Sequence, residues 1–333
     1  MRQNVKNLFD GMEVGPSNSL WPVNELPQGL NTVRVSGSFH MLSKERRENS
    51  QIAASARAHP RGVRYEATAL CRATAFGIEN PEMVVLGFGA LALYGLPFFA
   101  DATDTVLMDP TCRRYQCASA EQPAIVRRGC NPRQVWSLKH CAWPLQAADP
   151  PTALVQALKL VQSSNVTWPV IELEGFDAPT IRGIQLVDAA RRFLGIDLAE
   201  VLRNSDKVLN QRWVTRVIAC SSRFADSPRE TEMRLLLSAV AEKHDLTLRE
   251  QVPVHKDGKI VTTLDFAFIE PQIGAMYDGG HHGDPTQWEA DSGINLVLTS
   301  LQWCLLRFTR KTFLDAPAAV DEKITQWRRG SSA

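Results

Sequence analysis

"KIVTTLDFAFIEPQIGAMYDG", residues 259–279, decides the fold. Two runs rich in β-branched and aromatic residues flank Pro271-Gln272, so they read as adjacent strands turning back on each other. Asp257-Gly258 marks a second turn, and "REQVPVH" (249–255) before it reads as a further strand. Working outward, "SPRETEMRLLLSAVAEKHD" (227–245) is helical, with Ser227 placed to cap and Pro228 suited to the first turn. After the strands come a polar loop, a helix over 285–302, a strand over 303–310 and a last helix over 316–329. The order α-β-β-β-α-β-α predicts a compact α/β unit with a mixed sheet flanked by helices.

The whole chain has 333 residues, 44% hydrophobic and 22% charged, which suits two globular domains. A net charge of +1 announces no bulk attraction to nucleic acid or anionic membrane, so any such surface must be local. The N-terminal residues lack a signal-peptide pattern. The longest apolar stretch, "MVVLGFGALALYGLPFF" (83–99), is broken by three glycines and a proline and reads as buried core. A cytoplasmic protein without membrane contact is the expectation. Four of seven cysteines, Cys112, Cys117, Cys130 and Cys141, fall close together. Their spacing lacks the two tight pairs of structural zinc sites, so buried reduced thiols are favoured over a metal.

Residues 1–50 carry turn-rich, polar sequence and predict a short ordered piece among loops. Residues 51–222 predict an α+β domain: helices at "SQIAASARAH" and "EATALCRATAFGI", strands at "MVVLGF", "DTVLMD", "AIVRR" and "VWSLKHCAWPL", then further helices from Pro150 onward. The polar "SSRFADS" places a boundary near 222–227, opening a domain over 227–333.

Within that last domain several polar residues stand out. Glu230 lies three residues after Ser227, where it either completes a capping box or contributes an acid. Asp265 interrupts an apolar strand, so it needs a partner or a metal unless the strand edge is solvated. Asp278 follows Met276 by two and shares its face, and a hairpin brings Asp265 near both. His281 and His282 sit on the loop beyond, either as a polar turn or as groups facing a phosphodiester.

These motifs resemble the domain-of-unknown-function 559 family, through "SPRETEMRLLL" with Glu230 and Arg234, then Gln251, Asp257-Gly258, "LDFAFIEPQIGAMYDGGHH" and "LQWCLLRF". The resemblance implies a restriction-endonuclease-like, PD-(D/E)XK fold similar to very-short-patch repair endonucleases. It implies that Glu230, Asp265 and Asp278 are metal-binding acids for Mg²⁺ and that His282 closes the site, these four forming the catalytic set. At Met276 the family usually has glutamate. A thioether is a poor ligand for a hard cation, so the resemblance implies a nuclease-like protein with impaired catalysis. The alternatives are an active Mg²⁺-dependent DNA endonuclease and a protein-interaction module that binds no nucleic acid.

The region "MVVLGFGALALYGLP", "DTVLM" and "AIVRR" is similar to actinobacterial abortive-infection type IV antitoxin-like proteins. That similarity implies a place in phage defence or toxin–antitoxin regulation, with a cognate toxin or defence-system partner. The one segment of recognition-helix length, "YEATALCRATAFGIENPE", offers few base-reading side chains. DNA contact is therefore expected mainly from the C-terminal domain, where His281, Trp288 and Arg234 are the candidates.

Overall fold

The computed structural model describes residues 20–26, 28–140, 143–278 and 285–331; of these, the side chains of 139–140, 285–291 and 331 lie outside the description. The chain divides into two compact units, one ending at Ser221 and one beginning at Ser222.

The first unit opens with an antiparallel sheet of β1 (Leu20–Pro22), β2 (Thr32–Arg34) and β3 (Phe39–Leu42), in the order β1-β3-β2. This is the ordered piece among the expected loops, and its buried Leu20, Trp21, Phe39 and Met41 explain why it is ordered. Helices α1 (Asn49–Ala58) and α2 (Ala69–Glu79) follow, the second capped by Thr68. Nine of the eleven residues of α2 are buried, so it has no free face to lay in a DNA groove.

Next come β4 (Val84–Leu86), α3 (Gly87–Leu93), β5 (Val106–Met108), β6 (Ala124–Val126), β7 (Val135–His140) and β8 (Trp143–Ala148). The strands form a mixed sheet in the order β6-β5-β4-β8-β7. "VWSLKHCAWPL" is two strands of a hairpin rather than one, with Lys139 paired to Pro144. Its continuous β-favouring composition hid the reversal. The apolar 83–99 stretch supplies β4 and the wholly buried α3. Among the described residues no helix is long and apolar enough to cross a membrane.

Four helices close the unit: α4 (Pro150–Gln162), α5 (Ala178–Leu194), α6 (Leu198–Ser205) and α7 (Gln211–Ala219). Each starts on an Asp or Asn whose side chain accepts a backbone N–H of the first turn. Helices α5 and α7 meet at Gly183, where a Cβ would stand 2.9 Å from Trp213 Cζ2 and 3.0 Å from Val217 Cγ2. Gly183→Val is expected to destabilise the chain by about 1–3 kcal/mol through this overpacking. Urea unfolding checks it, and an unchanged midpoint would show that α7 yields without cost.

The second unit begins with α8 (Pro228–His244), followed by β9 (Leu248–Lys256), β10 (Lys259–Phe268) and β11 (Ile273–Asp278). After α9 (Pro285–Ser300) come β12 (Cys304–Thr309) and α10 (Ala316–Ser331). The sheet order is β12-β11-β10-β9. The β9–β10 and β10–β11 pairs are antiparallel, while β11 and β12 are parallel and need the α9 crossover between them. Asp257 and Gly258 turn the first hairpin with φ of +51° and +75°, as a two-residue loop of this kind requires.

Alternation along β11 sorts its side chains. Met276 packs against the cluster of Val254, Leu264, Ala267 and Leu298, the last from α9. Tyr277 points the other way and meets Phe313 edge-on, with ring centroids 5.6 Å apart. The unit is thus a mixed α/β layer structure with its core on both sheet faces.

Candidate functional site

The acids highlighted by the sequence gather where β10 and β11 stop pairing. Their ladder runs only from Phe268↔Ile273 to Phe266↔Ala275. At the next residue, Asp265, a carboxylate replaces the backbone as acceptor: Tyr277 N–H donates to Asp265 Oδ2 at 2.8 Å. Burial pushes the Asp265 carboxyl above the usual carboxylate range; the Tyr277 hydrogen bond opposes this, while the charges of Asp278 and Asp226 reinforce it.

Glu230 reaches the same neighbourhood from the first turn of α8. Its N–H donates to Ser227 Oγ at 3.2 Å, and Ser227 Oγ donates back to Oε1 at 2.9 Å. Asp226 N–H donates to Oε2 at 2.9 Å, and Gln251 Nε2 stands 3.5 Å from the same oxygen. The cap is therefore real, and the glutamate also lies only 9% exposed beside other acids. Burial dominates and pushes its carboxyl up to about 7, with the charges of Asp265 and Asp226 adding to the rise against two opposing hydrogen bonds.

Asp278 lies 3.5 Å from Arg307 Nη1, across the parallel β11–β12 pair. Met276 shares no polar contact of this kind, since its neighbours are the apolar cluster under α9. Arg234 is 8% exposed and its Nε lies 3.5 Å from Glu250 Oε2. Little of its guanidinium is exposed, and Glu250 takes the side it presents in this fold. His281 and His282 lie outside the described residues, as does the side chain of Trp288, whose backbone lies in α9.

Two members of this site escaped the sequence reading. Asp226 donates its backbone N–H to Glu230 and raises both acids by its charge. Arg307 faces Asp278. The signal for Arg307 was present, since it is the one charged residue within the apolar run "CLLRF".

Can these groups hold Mg²⁺? Glu230 spends both oxygens on α8 and its approach, Asp265 accepts a strand N–H, and Asp278 faces a cation. Among the described residues no three His, Cys, Asp or Glu side chains converge as metal ligands. Octahedral Mg²⁺ needs several oxygens drawn to one point, and the described residues assemble no such set of three. The cysteines fare no better as a centre. Cys117 is exposed and Cys112 and Cys130 are half-buried, which corrects the expectation of buried thiols; Cys141 lies outside the described residues. Partial burial pushes the Cys130 thiol up to about 11, so it is a neutral thiol at ordinary pH. A groove in the first unit, lined by Val170, Leu173, Phe176 and Arg182, contains none of the residues named from the sequence.

No family model, curated protein or solved structure matches the chain.

Proposed function

We propose that the second unit is a PD-(D/E)XK-type module that associates with DNA and cleaves it poorly or not at all. The observation that carries this reading is the meeting of Glu230 and Asp265 at the open end of an α-β-β-β-α-β arrangement, while Met276 packs into the apolar cluster. Glu230, Asp265 and Asp278 stand where the resemblance places its acids, but a thioether, Met276, stands where the family usually has a further glutamate. Phosphodiester cleavage by a metal needs an ion that polarises the phosphate and activates water, and the described carboxylates leave it no assembled shell. What remains is a fold suited to holding nucleic acid. A role in phage defence or toxin–antitoxin regulation, with a cognate partner, is the setting that the resemblances of both parts fit.

The test is duplex DNA offered to the full chain with Mg²⁺ or Mn²⁺. Binding without strand scission is the expected result. Robust metal-dependent cleavage that disappears in Asp265→Ala overturns the reading and restores the active-endonuclease alternative. Failure to bind duplex or single-stranded DNA even at low salt, where phosphate contacts are strongest, favours a protein-interaction module instead.

A further inference from the structure

The β9–β10 hairpin is longer than the sheet it belongs to. Its ladder runs from Phe268↔Leu248 out to Lys259↔Lys256, whereas β11 pairs with β10 only at 266–268. Beyond the buried Val254 and Leu264 the ribbon extends its exposed tip about 7–10 Å, at about 3.4 Å per residue. Its base is buttressed by Val254 and Leu264 in the cluster under α9, but residues 255–260 are exposed without exception. A register shift between Ile260 and Thr262 adds twist near the tip.

The tip places like charges together. Lys256 and Lys259 are direct cross-strand partners, an arrangement that costs stability unless an anion lies across it. Both lysines are exposed, with Asp257 between them in the turn. Ile260, 63% exposed, pairs with His255 and supplies an apolar contact beside the charges. At the same end of the sheet β12 runs out into the exposed Arg310-Lys311. Three strand spacings, about 14 Å, separate the edge strands, so cations flank the acid-containing end on both sides.

We propose that this hairpin is the arm that holds duplex DNA, its tip lying in the major groove with Lys256 and Lys259 on phosphates. The B-form major groove, about 12 Å wide, admits a two-stranded ribbon, whereas the deep, narrow major groove of duplex RNA does not. The proposal rests on the DNA-association reading above and names the surface that performs it.

The experiment is fluorescence anisotropy of the full chain on a labelled short duplex, repeated from about 50 to 200 mM salt. Lys256→Gln/Lys259→Gln is expected to flatten the slope of log affinity against log salt by about 1.8, at about 0.9 per lost phosphate contact. Arg113→Gln/Arg114→Gln, an exposed pair in the first unit, is expected to leave it unchanged. Ile260→Ser is expected to weaken binding while keeping the slope, as loss of an apolar contact should. Duplex binding with an unaltered slope in the lysine variant overturns the arm and leaves the DNA reading standing. No duplex binding by the unmodified chain overturns both. Equal binding of duplex RNA, or lysine-dependent binding only to anionic phospholipid vesicles, also overturns the arm.

Discussion

Arg72→Ala is expected to lower the stability of the first unit by about 2–5 kcal/mol, from the cavity left in the core and the carbonyls left without a donor. Arg72 is fully buried in α2. Its guanidinium donates to the carbonyls of Ala67 at 2.5 Å, Asp101 at 3.1 Å and Thr103 at 2.7 Å, and lies 3.8 Å above the Tyr65 ring. Burial pushes its pKa down to about 10, so it is still a cation at neutral pH.

Beneath it, Asp104 accepts hydrogen bonds from Tyr65 at 2.5 Å, from His59 Nε2 at 2.8 Å and from Arg61 at 2.8 Å. His59 Nδ1 accepts the backbone N–H groups of Arg61 and Val63, which leaves Nε2 as the donor to Asp104. Burial would raise the Asp104 carboxyl, but these hydrogen bonds outweigh it and hold the group below its usual range. Alanine at 72 strands three carbonyls, those of Ala67 and Thr103 buried, and removes the cation over Tyr65 at once. Urea unfolding followed by far-UV circular dichroism checks it. A loss below about 1 kcal/mol would show that water replaces the guanidinium without penalty.

The second unit is expected to lose stability as pH rises through the range where most proteins gain it. The Glu230 carboxyl titrates at about 7 in the folded unit against an ordinary 4.5. A raised carboxyl pKa means that the folded state prefers the protonated form. The stabilisation is full below about 4.5 and declines until about 7, then levels off. The span corresponds to about 3 kcal/mol at 1.36 kcal/mol per pH unit. Asp265, also raised by burial, works in the same direction. Glu230→Gln cannot ionise, so its stability should be flatter with pH, and the difference from the unmodified chain should shift in its favour between pH 5 and 8. Unfolding midpoints measured across that range decide the matter. Parallel curves for the two proteins would mean that Glu230 ionises without cost.

The strand–turn–strand reading around Pro271-Gln272 survives in the structure because local chemistry specifies it. Alternation sets the faces, Asp257-Gly258 supplies the positive φ, and Ser227-Pro228 caps and starts α8. The nearness of Asp265 to 276–278 was also legible, since the hairpin register fixes it, and the Tyr277–Asp265 hydrogen bond is its outcome. What was not legible depends on neighbours distant in sequence. Arg234 gave no sign that Glu250, sixteen residues on, takes the side it presents. Glu230 looked like either a cap or an acid and is both, because burial by the sheet turns a capping residue into a titratable group. The three-stranded β1-β3-β2 sheet was hidden by strands of three or four residues, too short to display a period.

The open flank of β9 carries a further consequence, for solubility. In the four-stranded sheet β9 has a strand neighbour on one side only. Nine residues of extended backbone would ordinarily invite another chain's strand to pair and seed aggregation. This edge is guarded against that. Pro253 deletes an N–H in mid-strand, Gln251 breaks the regular backbone with φ of +49°, and the exposed Arg249 and Lys256 set like charges against a second copy. Removing Pro253 would leave the fold's hydrogen bonds intact while stripping its flank of a barrier to self-association.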